Sequence, residues 1–205
     1  MRKCLMELLG TFFLVLAVCF TGDPLSIGIM LAVMVYAGAH VSGAHYNPAV
    51  TTAVLLRKGI GIGDAVKYWF SQILGAALAA YVHYYVTSET FVPSPGEGVT
   101  FGVAVIMETL GTFVLAFVVL NVATARKIAG NYIYGLAIGF ALFAAIAVSV
   151  DISGGVVNPA VAIGPMLVDT LTAKSLGFSN VLVYLVGPLL GAVLASLTFG
   201  YTNEE

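Results

Sequence analysis

Ser42-Gly43-Ala44-His45-Tyr46-Asn47-Pro48-Ala49 and Ser153-Gly154-Gly155-Val156-Val157-Asn158-Pro159-Ala160 are two versions of one phrase, a Ser-Gly run closed by Asn-Pro-Ala. One such tripeptide arises by chance in roughly a few per cent of chains of this length at average residue usage, and two in matched contexts far more rarely. Duplication is the better explanation. The halves also match elsewhere. Met6-Glu7-Leu8-Leu9-Gly10-Thr11-Phe12 aligns with Met107-Glu108-Thr109-Leu110-Gly111-Thr112-Phe113, and Gly75-Ala76 with Gly191-Ala192. The chain therefore divides into a first repeat over 1–100 and a second over 101–205, which together form one domain.

Of the 205 residues, 60% are hydrophobic and 9% charged, and the mean hydropathy is +1.03. That charged fraction is about a third of the value usual for a soluble domain, so the chain reads as a membrane protein. A net charge of −2 leaves no basic surface for nucleic acid. Cys4 and Cys19 lie on one predicted helix and cannot reach each other to form a disulfide. The first apolar stretch outruns the core of a signal peptide and lacks a cleavage pattern, so it is expected to be a spanning helix.

Six stretches are long enough to cross a hydrocarbon core of about 30 Å. They fall near Cys4–Thr21, Leu25–Val41, Asp64–Val86, Phe101–Val122, Tyr132–Val150 and Asn180–Gly200. Two apolar pieces, Pro48–Leu56 and Pro159–Leu167, are too short to cross and would reach only about half way. Three spans plus a half-helix in each repeat force the second copy to enter from the opposite side, giving an inverted repeat. Arg2, Lys3, Arg57, Lys58, Lys67, Arg126 and Lys127 gather at the N-terminus and in the second and fourth connections, leaving only Lys174 opposite. By the positive-inside rule that face is cytoplasmic, with both termini on it. The third connection, Thr87–Thr100, carries Glu89 and Glu97 and no base, as a non-cytoplasmic loop should.

Polar, proline-broken backbone at mid-membrane depth is tolerated only where it is buried in protein or lines water. Asn followed by Pro is a helix start, because Asn caps backbone donors and Pro suits the first turn. Two such starts entering from opposite faces meet near the bilayer centre. Each aims about half a positive charge at one point, which repels cations and hydrogen-bonds neutral molecules. The Asn carbonyl oxygens serve as caps, and their amide N–H groups remain to donate toward a lumen.

The twin Asn-Pro-Ala boxes, the Ser42-Gly43-Ala44-His45 run, Gly164-Pro165 after the second box and the Glu-x-x-Gly-Thr-Phe starts of the first and fourth spans resemble the aquaporin, or major intrinsic protein, family over essentially the whole chain. The resemblance implies an all-α membrane protein of six tilted transmembrane helices plus two re-entrant half-helices, usually a homotetramer with one pore per subunit. It implies passive conduction of water or small neutral solutes, with Asn47 and Asn158 as central donors and His45 lining the cytoplasmic half of the pore. It also implies that Glu7 and Glu108 are structural carboxylates that accept bonds from the re-entrant loops, a role favoured here over a proton relay. No cofactor or metal is implied. His40 is expected to be packed or bonded between helices, and His83 to join Tyr81, Tyr84 and Tyr85 in an interfacial aromatic belt.

The chain departs from the family at one place. Most members follow the second box with Arg; here Val161 stands there, followed by Ala162. Carrying the other constriction positions across by spacing gives a filter of Ile27, Ile146, Gly155 and Val161, apolar throughout. Selectivity rests on diameter, lining donors and electrostatic barriers. This filter therefore favours ammonia, carbon dioxide or small apolar-bodied solutes over strict water selectivity. Glycerol facilitation is less favoured, since facilitators keep the Arg and a following Asp. A structural or junctional role with little flux, a coupled transporter and an ion channel are the competing readings. No nucleophile, base and orienter group suggests an enzyme, and the three histidines are scattered. Short connections and the tail Thr202-Asn203-Glu204-Glu205 leave no long gating segment.

Overall fold

The computed structural model describes residues 1–173 and 178–203. Lys174, the one base expected on the outer face, and the tail residues Glu204 and Glu205 lie outside the described residues. Within them are eight α-helices and no strand: α1 (Arg2–Thr21), α2 (Pro24–Ser42), α3 (Pro48–Leu56), α4 (Ile62–Thr87), α5 (Phe101–Thr124), α6 (Tyr134–Ser153), α7 (Pro159–Thr172) and α8 (Val181–Thr202). Five of them, α1, α2, α5, α6 and α8, are long and apolar enough to span a membrane. α4 is the longest at 26 residues, about 39 Å at 1.5 Å per residue, but Lys67, Gln72 and His83 dilute its hydropathy.

The half-helices are unequal. α3 ends at Leu56, as its apolar run predicts, whereas α7 continues past the expected Leu167 to Thr172. Pro165 does not end α7, because it forfeits one ladder bond in a helix buried along most of its length. End to end, α3 and α7 would measure about 34 Å, which roughly matches the hydrocarbon thickness.

Local chemistry sets the boundaries. Asp23 caps α2 by accepting from the Ser26 backbone N–H at 2.7 Å and from Ser26 Oγ at 2.6 Å. Those bonds hold the exposed Asp23 carboxyl below its ordinary range. α2 and α6 end on Gly43 and Gly154, both left-handed with φ of 89° and 91°. Glycine adopts that conformation without the steric cost other residues meet, so it turns the chain back into the membrane.

Packing repeats the symmetry of the sequence. α1 packs on α4 as α5 packs on α8, while α4 packs on α7 and α8 on α3. α2 and α6 pack on each other, touching at Gly28 and Gly139. A Cβ on Gly28 would lie 2.6 Å from the Gly139 carbonyl oxygen, and one on Gly139 would lie 2.4 Å from that of Gly28. These two residues occupy matching places in the repeat, and equivalent residues that touch reciprocally must straddle the pseudo-two-fold axis. Large apolar side chains such as Phe70, Val148 and Leu197 are exposed around the bundle, the surface a bilayer would cover.

Two histidine expectations fail. His40 is exposed rather than packed between helices. His83 is buried edge-on against Phe20, with ring centroids 5.0 Å apart, so it belongs to the interior, while Tyr81 and Tyr85 are exposed.

Candidate functional site

The two re-entrant loops meet at the centre of the bundle and bind each other. Asn47 Oδ1 accepts from Ala49 N at 2.8 Å, capping α3, and Asn158 Oδ1 accepts from Ala160 N at 3.0 Å, capping α7. The amide nitrogens then cross the axis. Asn47 Nδ2 donates to the Val157 carbonyl at 2.9 Å, and Asn158 Nδ2 donates to the Tyr46 carbonyl at 3.0 Å. The expectation that both amide hydrogens face the lumen therefore needs correcting. One is spent joining the halves, and each amide keeps one more to offer.

Those carbonyls can be reached because the backbone before each Asn is twisted into the left-handed region, with φ of 50° at Tyr46 and 44° at Val157. For a β-branched or aromatic residue this conformation costs of order 1–3 kcal/mol and persists only where surrounding structure imposes it. The buried glutamates impose it. Tyr46 N donates to Glu7 Oε2 at 2.7 Å and His45 N to Oε1 at 3.0 Å, while Val157 N donates to Glu108 Oε2 at 2.6 Å and Val156 N to Oε1 at 2.9 Å. Ser42 Oγ and Ser153 Oγ each add a bond of 2.7 Å. Tyr46 and Val157 are thus each held by the N–H from one side and by the carbonyl from the other. Tyr68 and Tyr184, again equivalent in the repeat, donate to the Ser42 and Ser153 carbonyls at 2.7 and 2.8 Å.

The symmetry breaks beside Glu7. Gln72 Nε2 donates to Glu7 Oε2 at 2.8 Å and to Thr51 Oγ1 at 3.0 Å. In the second repeat the matching positions hold Pro188 and Ala162, so the polar pair is absent as a unit. In the first repeat it serves His45. Thr51 Oγ–H donates to the Asn47 carbonyl at 3.0 Å, which leaves its oxygen to accept from Gln72 and from His45 Nδ1, 3.1 Å away. That bond pattern assigns the imidazole proton to Nδ1 and leaves Nε2 as an acceptor.

Three cavities follow one another through the bundle. The central one, about 10 Å³, is bounded by Asn47, Asn158, His45, Tyr46 and Val50, with Leu14, Leu31, Leu115 and Leu142. It has about the room one water needs. Toward one end lies a space of about 100 Å³ whose walls include Ile27, Ile146, Gly155 and Val161 together, so the four positions assigned from spacing border one cavity. Val161 and both isoleucines are almost fully buried. Asn158, shared with the central cavity, and Phe91, from the connection between α4 and α5, also border this space. Toward the other end, one turn beyond Val50, Val54 opens into a vestibule of about 890 Å³ bordered by Arg57, Arg126 and Asn203. The Arg57 guanidinium lies over the Phe199 ring, 5.2 Å from its centroid.

Two features escaped sequence reading. Asn47-Pro48-Ala49-Val50 and Asn158-Pro159-Ala160-Val161 are the same tetrapeptide, so Val161 is the counterpart of Val50. Nothing in the sequence marks Phe91 as a cavity wall, since it lies in a loop without periodicity. Among the described residues, no group of three or more His, Cys, Asp or Glu converges to hold a metal ion.

Residues 21–199 match the sequence model of the family described as Major intrinsic protein. The chain is 38% identical to the Glycerol uptake facilitator protein-like 6 of Lactiplantibacillus plantarum over 225 aligned positions, covering 100% of both chains. It is 31% identical to Aquaporin AqpM of Methanothermobacter thermautotrophicus, covering 100% of this chain and 98% of that one. Its fold superposes on the X-ray structure of the aquaglyceroporin from Plasmodium falciparum with a TM-score of 0.84 at 23% identity, over 97% of this chain and 94% of the other.

Proposed function

The chain belongs to the major intrinsic protein family, and from that premise we propose a passive membrane channel for water and small neutral solutes whose outer constriction, Ile27, Ile146, Gly155 and Val161, selects for molecules that surrender few hydrogen bonds. One observation carries the selectivity: the four side-chain positions share a cavity in which Val161 stands where the family usually has Arg. A polar group deprived of partners in such a ring costs about 1–3 kcal/mol on the scale of protein mutations. Carbon dioxide has no donors to desolvate and the three N–H groups of ammonia are weak donors, whereas a polyol must give up several strong O–H bonds at once. Ammonia, carbon dioxide and small apolar-bodied solutes are therefore favoured over strict water selectivity.

In this reading Asn47 and Asn158 present the polar step at the centre and His45 adds an acceptor toward the vestibule. Glu7 and Glu108 act by holding the strained loops. The reciprocal contacts support the division into repeats at 1–100 and 101–205. Arg57 and Arg126 at the vestibule support a cytoplasmic placement for that end, in a plasma or inner cell membrane with both termini inside. A homotetramer is the expected assembly. Glycerol-type facilitation is the second reading, favoured by the 38% identity to the Glycerol uptake facilitator protein-like 6 of Lactiplantibacillus plantarum.

Stopped-flow measurements on liposomes containing the native protein, Val161→Arg, or no protein test the proposal with water, ammonia and glycerol. Native ammonia flux should exceed that of empty vesicles, and the ratio of ammonia to water permeability should fall several-fold in Val161→Arg. Fast native water flux without ammonia or solute flux would overturn the selectivity. Rapid glycerol flux through the native protein would establish the second reading.

A further inference from the structure

The connection between α4 and α5 does not hang free over the outer cavity; it is fastened into it. Thr90 Oγ1 donates to the carboxylate of Asp169, buried on α7, at 2.6 Å. Gly96 N donates to the Ile152 carbonyl at 2.9 Å. Between those two ties, Pro93 is buried and Val92 packs against the apolar core around α7. The Ser94 carbonyl presses so close to the end of α6 that a Cβ on Gly154 would lie 2.9 Å from it. Phe91 follows Thr90 directly, so the Thr90–Asp169 bond fixes the backbone that carries the ring. The ring itself borders the same 100 Å³ cavity as the four constriction residues.

We propose that Phe91 is a fifth, specificity-determining wall of the outer constriction, held in place by the Thr90–Asp169 bond, so that this loop sets the upper size of the solutes admitted. The proposal rests on the channel reading and deepens it. The helix-borne residues leave a ring of aliphatic side chains closed on one side by Gly155, which contributes no side chain. Among the described residues, Phe91 supplies the one aromatic surface bordering that space. An aromatic ring bordering a small cavity limits cross-section without adding a hydrogen-bond partner. It discriminates by size, where the aliphatic ring discriminates by polarity.

The experiment compares the native protein, Phe91→Ala, Phe91→Trp, Thr90→Val and the Phe91→Ala/Thr90→Val double variant in liposomes. Stopped flow reports water and a graded series of neutral solutes, namely methanol, urea, glycerol and erythritol. Phe91→Ala should raise the permeability of the largest solutes several-fold relative to water, and Phe91→Trp should lower it. Thr90→Val should move the size limit the way Phe91→Ala does, by less, and should add nothing in the double variant, as expected if Thr90 acts only through the ring. A native protein that closes to water but opens in Phe91→Ala also supports the assignment. If the native protein conducts and the order and ratio of solute permeabilities are the same in Phe91→Ala and Phe91→Trp, the assignment is overturned while the channel stands. If neither native nor variant exceeds empty vesicles for any solute, both fall. As an independent check, Phe91→Cys in a Cys4→Ser/Cys19→Ser background should lose solute flux on reaction with a bulky thiol reagent, and unchanged flux after complete labelling would contradict the proposal.

Discussion

His45 shows how a single side chain is specified by the neighbours that hold it. Its Nδ1 bond to Thr51 is oriented by the Thr51 bond to the Asn47 carbonyl and by Gln72, which itself is anchored on Glu7. With ¹⁵N-labelled histidine in membranes, solid-state NMR should find the His45 imidazole neutral with its proton on Nδ1. Thr51→Val, which removes the accepting oxygen, should shift it toward the Nε2–H form. An Nε2–H form in the native protein would refute the assignment. At this scale the sequence was partly legible. Asn47, Asn158, Glu7 and Glu108 announce themselves because polar groups at membrane depth are costly and each occurs twice. Gln72 and Thr51 do not, since a lone amide in a spanning helix and a hydroxyl in a half-helix are each unremarkable until the fold brings them together. Phe91 was illegible for the opposite reason: in a loop, no periodicity tells which way a side chain faces.

The helices cross at positions where anything larger than hydrogen would collide with a neighbouring backbone. A Cβ on Gly75 would lie 2.3 Å from the Leu8 carbonyl oxygen, and one on Gly191 2.5 Å from that of Thr109. Leu8 and Thr109 are counterparts, as are the two glycines. Gly75→Ala and Gly191→Ala should therefore each push α4 off α1, or α8 off α5, at a cost of about 1–3 kcal/mol. The check is thermal unfolding in detergent, where both variants should melt below the native protein by similar margins; an unchanged midpoint in either would mean that its helix pair has slack. Element positions were readable from apolar run length to within a few residues. The exception, α7, ran on past Leu167 because burial of Val168 and Asp169 carried it further, a decision no local propensity contains.

For the molecule as a whole, the bases forecast which end faces the cytoplasm, and two exposed sites test it. In the Cys4→Ser/Cys19→Ser background, Lys58→Cys should react with a membrane-impermeant thiol reagent only from the cytoplasmic side, and Glu97→Cys only from outside; the reverse pattern would invert the topology. The duplication was visible in sequence, but its consequence for the lumen emerged only with the fold. Leu14, Val18, Ile27, Leu142 and Val161 border the outer cavity, and their repeat counterparts Leu115, Val119, Ile138, Leu31 and Val50 border the central one on its inner side. The passage is close to a palindrome, greasy, then polar, then greasy again, broken where His45 on the inner side has Val156 as its counterpart on the outer. A water file threading it must bridge two dry stretches through one wet hub. Drying of either stretch severs the file, so continuity behaves as a pair of switches in series rather than as one narrow gate.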